Sequence, residues 1–137
     1  MNNDEKEILN ILNTISPDMI IPKDLFSIKS YSELCAYAGI KELTEEDFSQ
    51  FDNPKQMLAF HQIKNIEKVY NEGWKPDFND AEQKKYYPYF ELKGGRWSFY
   101  GSYYSFVNFC GFVGLYKDKK TSDFVGKTFI NIYIKVL

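Results

Sequence analysis

The stretch Tyr86-Tyr87-Pro88-Tyr89-Phe90-Glu91-Leu92-Lys93-Gly94-Gly95-Arg96-Trp97-Ser98-Phe99-Tyr100-Gly101-Ser102-Tyr103-Tyr104 decides the fold. Two aromatic-rich runs flank a Gly-Gly pair, which is the signal of a β-hairpin closed by a two-residue turn. That loop length fixes a register: Lys93 opposite Arg96, Leu92 opposite Trp97, Phe90 opposite Phe99, Pro88 opposite Gly101 and Tyr86 opposite Tyr103. Alternation then sorts the side chains. Leu92, Trp97, Phe90, Phe99, Tyr86 and Tyr103 are expected on a core face. Tyr87, Tyr89, Glu91, Lys93, Arg96, Ser98, Tyr100, Ser102 and Tyr104 are expected on an outward face. Pro88 marks a sheet edge or a bulge, because it has no N–H for the ladder.

Downstream, a third strand is expected over about Phe109 to Tyr116, with Gly111 and Gly114 implying a bulge or a close neighbour. Lys117 to Lys120 reads as a charged turn. Thr121 or Ser122 caps a last helix reaching the C-terminus with the stripe Val125, Phe129, Ile132, Tyr133 and Val136, and Gly126 lets that helix approach the sheet.

Upstream the pattern is helical. Asp4 is expected to cap a short helix carrying Ile8, Leu9, Ile11 and Leu12, ended by Pro17. The segment Asp18 to Phe26, broken by Pro22, reads as an extended connector. Ser30-Tyr31-Ser32-Glu33 has the spacing of a capping box, and the helix it opens stops at Gly39. Thr44-Glu45-Glu46-Asp47 repeats that spacing before one or two turns. The longest helix runs from about Pro54 to Glu72, with Asn53 as cap, Ala59, Ile63, Ile66 and Tyr70 as its buried stripe, and Gly73 as its end. The loop after it is expected to anchor itself by burying Trp74 and Phe78. The fold class is therefore α+β: N-terminal helices, a three-stranded antiparallel sheet with a Gly-Gly hairpin, and a C-terminal helix packed on the sheet. One domain over 1–137 is expected, with an N-terminal helix and connector in 1–27, a helical part in 28–73, and the loop, sheet and last helix in 74–137.

Bulk properties narrow the function classes. The 137 residues, 44% hydrophobic and 26% charged, suit a chain that buries one core. A net charge of −2 argues against a surface that grips nucleic acid over its whole extent, leaving only a local patch. The polar, acidic start does not read as a signal peptide, and no run approaches a membrane span, so a soluble cytoplasmic protein without a membrane partner is expected. Cys35 and Cys110 sit among apolar residues and read as buried free thiols. The aromatic share is high at 18%, with 11 tyrosines, and tyrosine tolerates a wet hydroxyl beside a packed ring.

Three blocks carry a resemblance: Ile28-Lys29-Ser30-Tyr31-Ser32-Glu33-Leu34-Cys35-Ala36-Tyr37-Ala38-Gly39-Ile40; Asn71-Glu72-Gly73-Trp74-Lys75-Pro76-Asp77-Phe78-Asn79 leading into Lys85-Tyr86-Tyr87-Pro88-Tyr89-Phe90; and Phe124-Val125-Gly126-Lys127-Thr128-Phe129-Ile130-Asn131-Ile132-Tyr133. Over roughly residues 28 to 137 the chain resembles small uncharacterised proteins encoded by phages and mobile elements of Bacteroidetes bacteria. The middle block is the most specific. The family often carries a Gly-x-Arg-Leu-like stretch before the last helix. Here that stretch reads Gly111-Phe112-Val113-Gly114-Leu115-Tyr116, without the arginine, so no role of that arginine carries over. The resemblance implies a phage or mobile-element context and brings no catalytic residues.

Chemistry-bearing patterns are sparse. His61 is the only histidine, which excludes a multi-histidine metal site within this chain; it lies off the main stripe of its helix and reads as a structural residue. Gly94-Gly95 lacks the lysine and the strand-to-helix context of a phosphate loop. Pro76-Asp77 followed by Glu91-Leu92-Lys93 matches in letters a nuclease signature that needs two carboxylates on a cation and a lysine near the attacking water. No catalytic set, metal or cofactor is assigned. The site expected is the outward hairpin face, with Tyr87, Tyr89, Tyr100 and Tyr104 as rings and Lys93 and Arg96 as cations. A protein partner is expected there, since tyrosine and arginine concentrate at interface hot spots. Single-stranded nucleic acid, held by stacking and phosphate contacts, is the alternative, and a metal-dependent nuclease the third reading. The competing structural reading is that a helix covers this face.

Overall fold

The computed structural model describes residues 2–14, 22–106 and 114–137, with the backbone alone for residues 9–14. The elements run α1 (Asn3–Thr14), α2 (Tyr31–Ala38), α3 (Pro54–Asn71), β1 (Lys85–Lys93), β2 (Arg96–Ser105), α4 (Lys119–Thr128) and α5 (Ile130–Tyr133), with single 3₁₀ turns at Leu25–Ser27, Glu45–Phe48 and Ile134–Val136. The class is α+β.

Caps explain where the helices start. The Ser30 hydroxyl accepts the Glu33 N–H at 3.1 Å, and Gly39 closes α2. At α1 the cap is Asn2 rather than Asp4: Asn2 Oδ1 accepts the Glu5 N–H at 2.7 Å, and the Glu5 carboxylate accepts the Asn2 N–H at 3.0 Å. Both Asn2…Glu5 and Asp4…Glu7 have the reciprocal spacing, and the earlier pair adds residues to the helix. For the same reason α4 is capped by Asp118, whose carboxylate accepts the Thr121 N–H at 2.8 Å, while Thr121 and Ser122 are buried within the helix. Asn53 makes no side-chain cap; Pro54 in the first turn removes one of the N–H groups that the helix start leaves unpaired.

The core is centred on α3. Ala59, Ile63, Ile66 and Tyr70 are buried along one stripe, against Tyr31, Leu34 and Cys35 of α2 and Val125, Phe129, Ile132 and Tyr133 from the C-terminal helices. Each large apolar side chain so buried contributes about 1.5–3 kcal/mol. The last helix is not continuous. Phe129, with φ −110° and ψ 25°, ends α4 and starts α5, yet the buried stripe runs through the break.

The loop after α3 is held differently from the expectation. Phe78 is exposed, and the loop is tied instead by buried Lys85, whose ammonium donates to the Asp80 and Gln83 carbonyls at 3.2 and 3.1 Å. A lysine below the loop can donate to two carbonyls at once, which a phenyl ring cannot.

Among the described residues the sheet has two strands, not three. The third strand expected over Phe109 to Tyr116 lies mostly outside the described residues. Its described end, Tyr116, makes one antiparallel bridge to Tyr86, with N···O distances of 3.0 and 2.7 Å. The backbone groups of the adjacent residues are taken by α3 rather than by another strand. The Asn71 amide donates to the Leu115 carbonyl at 2.8 Å and accepts the Lys117 N–H at 3.1 Å, and Glu67 accepts the Leu115 N–H at 2.8 Å.

Candidate binding face of the hairpin

Gly94 and Gly95 sit at φ 59° and 75°, two successive left-handed residues, which is the geometry a two-residue hairpin turn requires. From the turn outward the pairs are Lys93 with Arg96, Leu92 with Trp97, Glu91 with Ser98 and Phe90 with Phe99, as the loop length dictates. The register then shifts. Tyr89 pairs with Gly101, Pro88 with Ser102, Tyr87 with Tyr103 and Tyr86 with Tyr104. Tyr100 is the extra residue of a β-bulge.

The bulge redistributes the aromatic rings. Tyr103, expected inside, stands with Tyr87 and Tyr89, at ring-centroid distances of 6.5 and 5.2 Å. Tyr100 meets Tyr89 edge-on at 6.2 Å. Tyr104, expected outside, moves to the other face, where its ring lies 5.5 Å from Tyr86 and 5.3 Å from Phe106 under the Lys84 ammonium. The outward face thus carries Tyr87, Tyr89, Tyr100 and Tyr103 as one contiguous patch. Tyr89, Tyr100 and Tyr103 are 51%, 58% and 46% exposed, so these rings are not covered by a helix. Burial, then the neighbouring phenols of Tyr89 and Tyr103, push the Tyr87 pKa above its ordinary value.

The inner face is covered only in part. Helix α4 packs there: the Ser102 hydroxyl donates to Ser122 Oγ at 2.7 Å, and Phe99 and Pro88 press on Gly126. Phe90 stacks on Tyr133 at 5.2 Å. Leu92 and Trp97, expected in the core, remain 56% and 37% exposed. The ten residues of α4 span about 15 Å, whereas nine strand residues span roughly 30 Å, so the turn end of the hairpin overhangs the helix.

Lys93 and Arg96 face each other at the turn. Lys93 stands roughly 13 Å along β1 from Tyr89, so the cations lie at one end of the tyrosine patch and are not interleaved with it. Sequence reasoning missed Tyr103, Leu92 and Trp97 as exposed groups; for Tyr103 the available signal was Gly101, a glycine inside a strand, which marks bulges, while Leu92 and Trp97 keep the expected register and are exposed because the turn overhangs α4.

The nuclease-like letters do not converge. Asp77 lies by the start of β1, its N–H donating to Gln83 Oε1 at 2.6 Å and its carboxylate accepting the Asn79 N–H at 2.9 Å. Glu91 lies six residues beyond Lys85, roughly 20 Å along the strand, and Lys93 lies farther still. Among the described residues no three His, Cys, Asp or Glu side chains gather where they could hold a metal ion. His61 approaches Asn65 at 3.2 Å and Phe48 at 5.7 Å, a packed position on α3. Cys35 is buried, and Cys110 lies outside the described residues. Among the described residues no helix is long and apolar enough to cross a membrane.

Comparison of the chain with protein-family models, with curated proteins and with solved structures finds no match.

Proposed function

We propose that this chain is a non-enzymatic protein-binding module that engages its partner through the hairpin patch Tyr87, Tyr89, Tyr100 and Tyr103. The observation that carries the reading is a set of mutually packed, solvent-facing tyrosines on a two-stranded ribbon. Rings that already hold one another lose little freedom on binding, and each offers a large apolar face with a polar tip. Tyrosine is the residue type concentrated at the energetic centre of protein interfaces. The resemblance of the sequence blocks suggests phage or mobile-element biology as the setting.

Single-stranded nucleic acid fits this patch less well. Stacking sites for it place cations along the strand path between the rings. Here Lys93 and Arg96 sit together at the turn, and the rings meet edge to face.

The test is affinity capture with the intact chain from a Bacteroidetes lysate, with a Tyr89→Ala/Tyr103→Ala variant whose fold is confirmed by circular dichroism. The expected result is a partner retained in stoichiometric amount by the parent chain, lost in the variant and unaffected by nuclease. Equal retention by both chains overturns the reading. Retention abolished by nuclease moves it to nucleic acid.

A further inference from the structure

On the helical side, away from the tyrosine patch, a groove of about 550 Å³ is lined by Phe26, Lys119, Lys120, Asp123, Phe124 and Lys127. Three of its six residues are lysines, in a chain whose net charge is −2. The only acid in the lining, Asp123, is already engaged by Lys119 at 2.7 Å. Among the described residues, neither Lys120 nor Lys127 has a carboxylate in ion-pair range; both stand over rings instead, Lys120 at 4.4 Å from the Phe26 centroid and Lys127 at 5.5 Å from that of Phe99. These contacts bring each ammonium over an aromatic face, and Asp123, bonded to Lys119, reaches Lys127 only through longer-range attraction, so the groove keeps a net positive lining.

The Phe26 and Phe124 rings form the groove's apolar part. They pack edge to face on each other at 5.1 Å; Phe26 meets Tyr70 edge-on at 6.3 Å and Phe124 meets it at a tilt at 5.6 Å, over the core beneath them. Asp118 already takes the Thr121 N–H, so the groove's anion-seeking character comes from side chains and not from the helix terminus.

We infer that this groove binds an acidic segment of a partner protein, with carboxylates on Lys120 and Lys127 and an apolar side chain between Phe26 and Phe124. Charge complementarity selects the occupant. A nucleic acid strand is disfavoured, because stacking needs open ring faces and here Lys120 stands over one ring while the edges are engaged by neighbours. The site is independent of the tyrosine patch, so the chain carries two binding surfaces.

The experiment is fluorescence anisotropy with a labelled peptide of repeating Glu-Glu-Leu, and with labelled oligo-dT, at low and high salt. The parent chain is expected to bind the peptide, more weakly as salt rises. Lys120→Glu/Lys127→Glu is expected to lose about tenfold or more in affinity. Lys120→Gln/Lys127→Gln guards against a folding artefact and is expected to lose less. Tyr89→Ala/Tyr103→Ala is expected to bind the peptide like the parent, which separates this site from the proposed function. Absence of peptide binding, binding indifferent to the lysine changes, or preference for oligo-dT each overturns the inference.

Discussion

Gly126 of α4 lies so close to Phe99 of β2 that a Cβ there would stand 2.7 Å from two ring carbons and 2.7 Å from the Pro88 Cβ. A real Cβ does not survive at that distance, and the proline cannot rotate away. Gly126→Ala gains about 1 kcal/mol of helix propensity. It also forces α4 off the sheet, at a cost of about 1–3 kcal/mol from overpacking. Net destabilisation is expected in urea unfolding. Gly101→Ala serves as the control, since among the described residues nothing lies within 4 Å of its Cβ position; it is expected to leave the midpoint nearly unchanged.

Asn71→Ala tests the docking of the chain at residues 114–117. It removes the two bonds that join α3 to the Leu115 carbonyl and the Lys117 N–H. Leaving the buried Leu115 carbonyl unpaired costs about 1–3 kcal/mol, and the part-buried Lys117 N–H, which water can reach, costs less. The expected outcome is a loss of about 2–4 kcal/mol in stability, with faster amide exchange at Lys117 than in the hydrophobic core. Unchanged exchange would mean that the segment is held by other contacts.

Tyr116 and Tyr133 share a buried hydroxyl–hydroxyl bond of 2.6 Å, and burial holds both phenols above their ordinary value, as it does Tyr31 and Tyr70. The unfolded chain ionises these phenols near the ordinary value of 10.0, before the folded chain does. Above that pH the unfolded state therefore binds fewer protons, and stability falls as pH rises, by about 1.4 kcal/mol per unit for each fully buried phenol. Thermal midpoints should be insensitive to these groups near neutrality and drop steeply in alkali. Phenolate absorbance of the buried tyrosines should appear together with unfolding.

Burial also pushes the Cys35 thiol up to about 11, from 9.0. At pH 8 the thiolate fraction is then about a hundredfold lower than in the unfolded chain, and the sulfur is covered as well. Labelling with a thiol reagent, read at the Cys35 peptide by mass spectrometry, should be slow in the native protein and rapid in denaturant. Rapid native labelling would place Cys35 at the surface.

The helical half was legible because its signals are redundant. Ser30 with Glu33, the 3.6-residue stripe Ala59-Ile63-Ile66-Tyr70 and the stop at Gly39 agree with one another, and each is local. Gly126 could be read as a close approach because a glycine beside an apolar stripe has few other uses. The hairpin was legible only as far as its turn reaches. Gly94-Gly95 dictates the pairs down to Phe90 with Phe99, but beyond them almost every position from Tyr86 to Tyr104 is aromatic, serine or glycine. Shifting such a run by one residue replaces a tyrosine with a tyrosine, so hydrophobic alternation does not choose between registers. The bulged register sets Ser102 beside α4, where its hydroxyl donates to Ser122 Oγ at 2.7 Å; the unbulged register would set Gly101 opposite Pro88, with no side chain to make that bond. That is a tertiary constraint, and its one local signature is Gly101 inside the strand.

Trp97 separates the two readings most sharply. In a core it would cost about 3–5 kcal/mol to truncate. At 37% exposure on an overhanging turn, opposite a Leu92 that is 56% exposed, its ring keeps only part of its burial. Trp97→Ala is therefore expected to cost under about 1.5 kcal/mol, well below the core range. Its fluorescence in the parent chain should be accessible to iodide quenching before unfolding. Trp74, the other tryptophan, is half-buried, so a Trp74→Phe background isolates the signal. A large loss of stability, or an emission shielded from quencher, would mean that the hairpin end is covered and does not overhang α4.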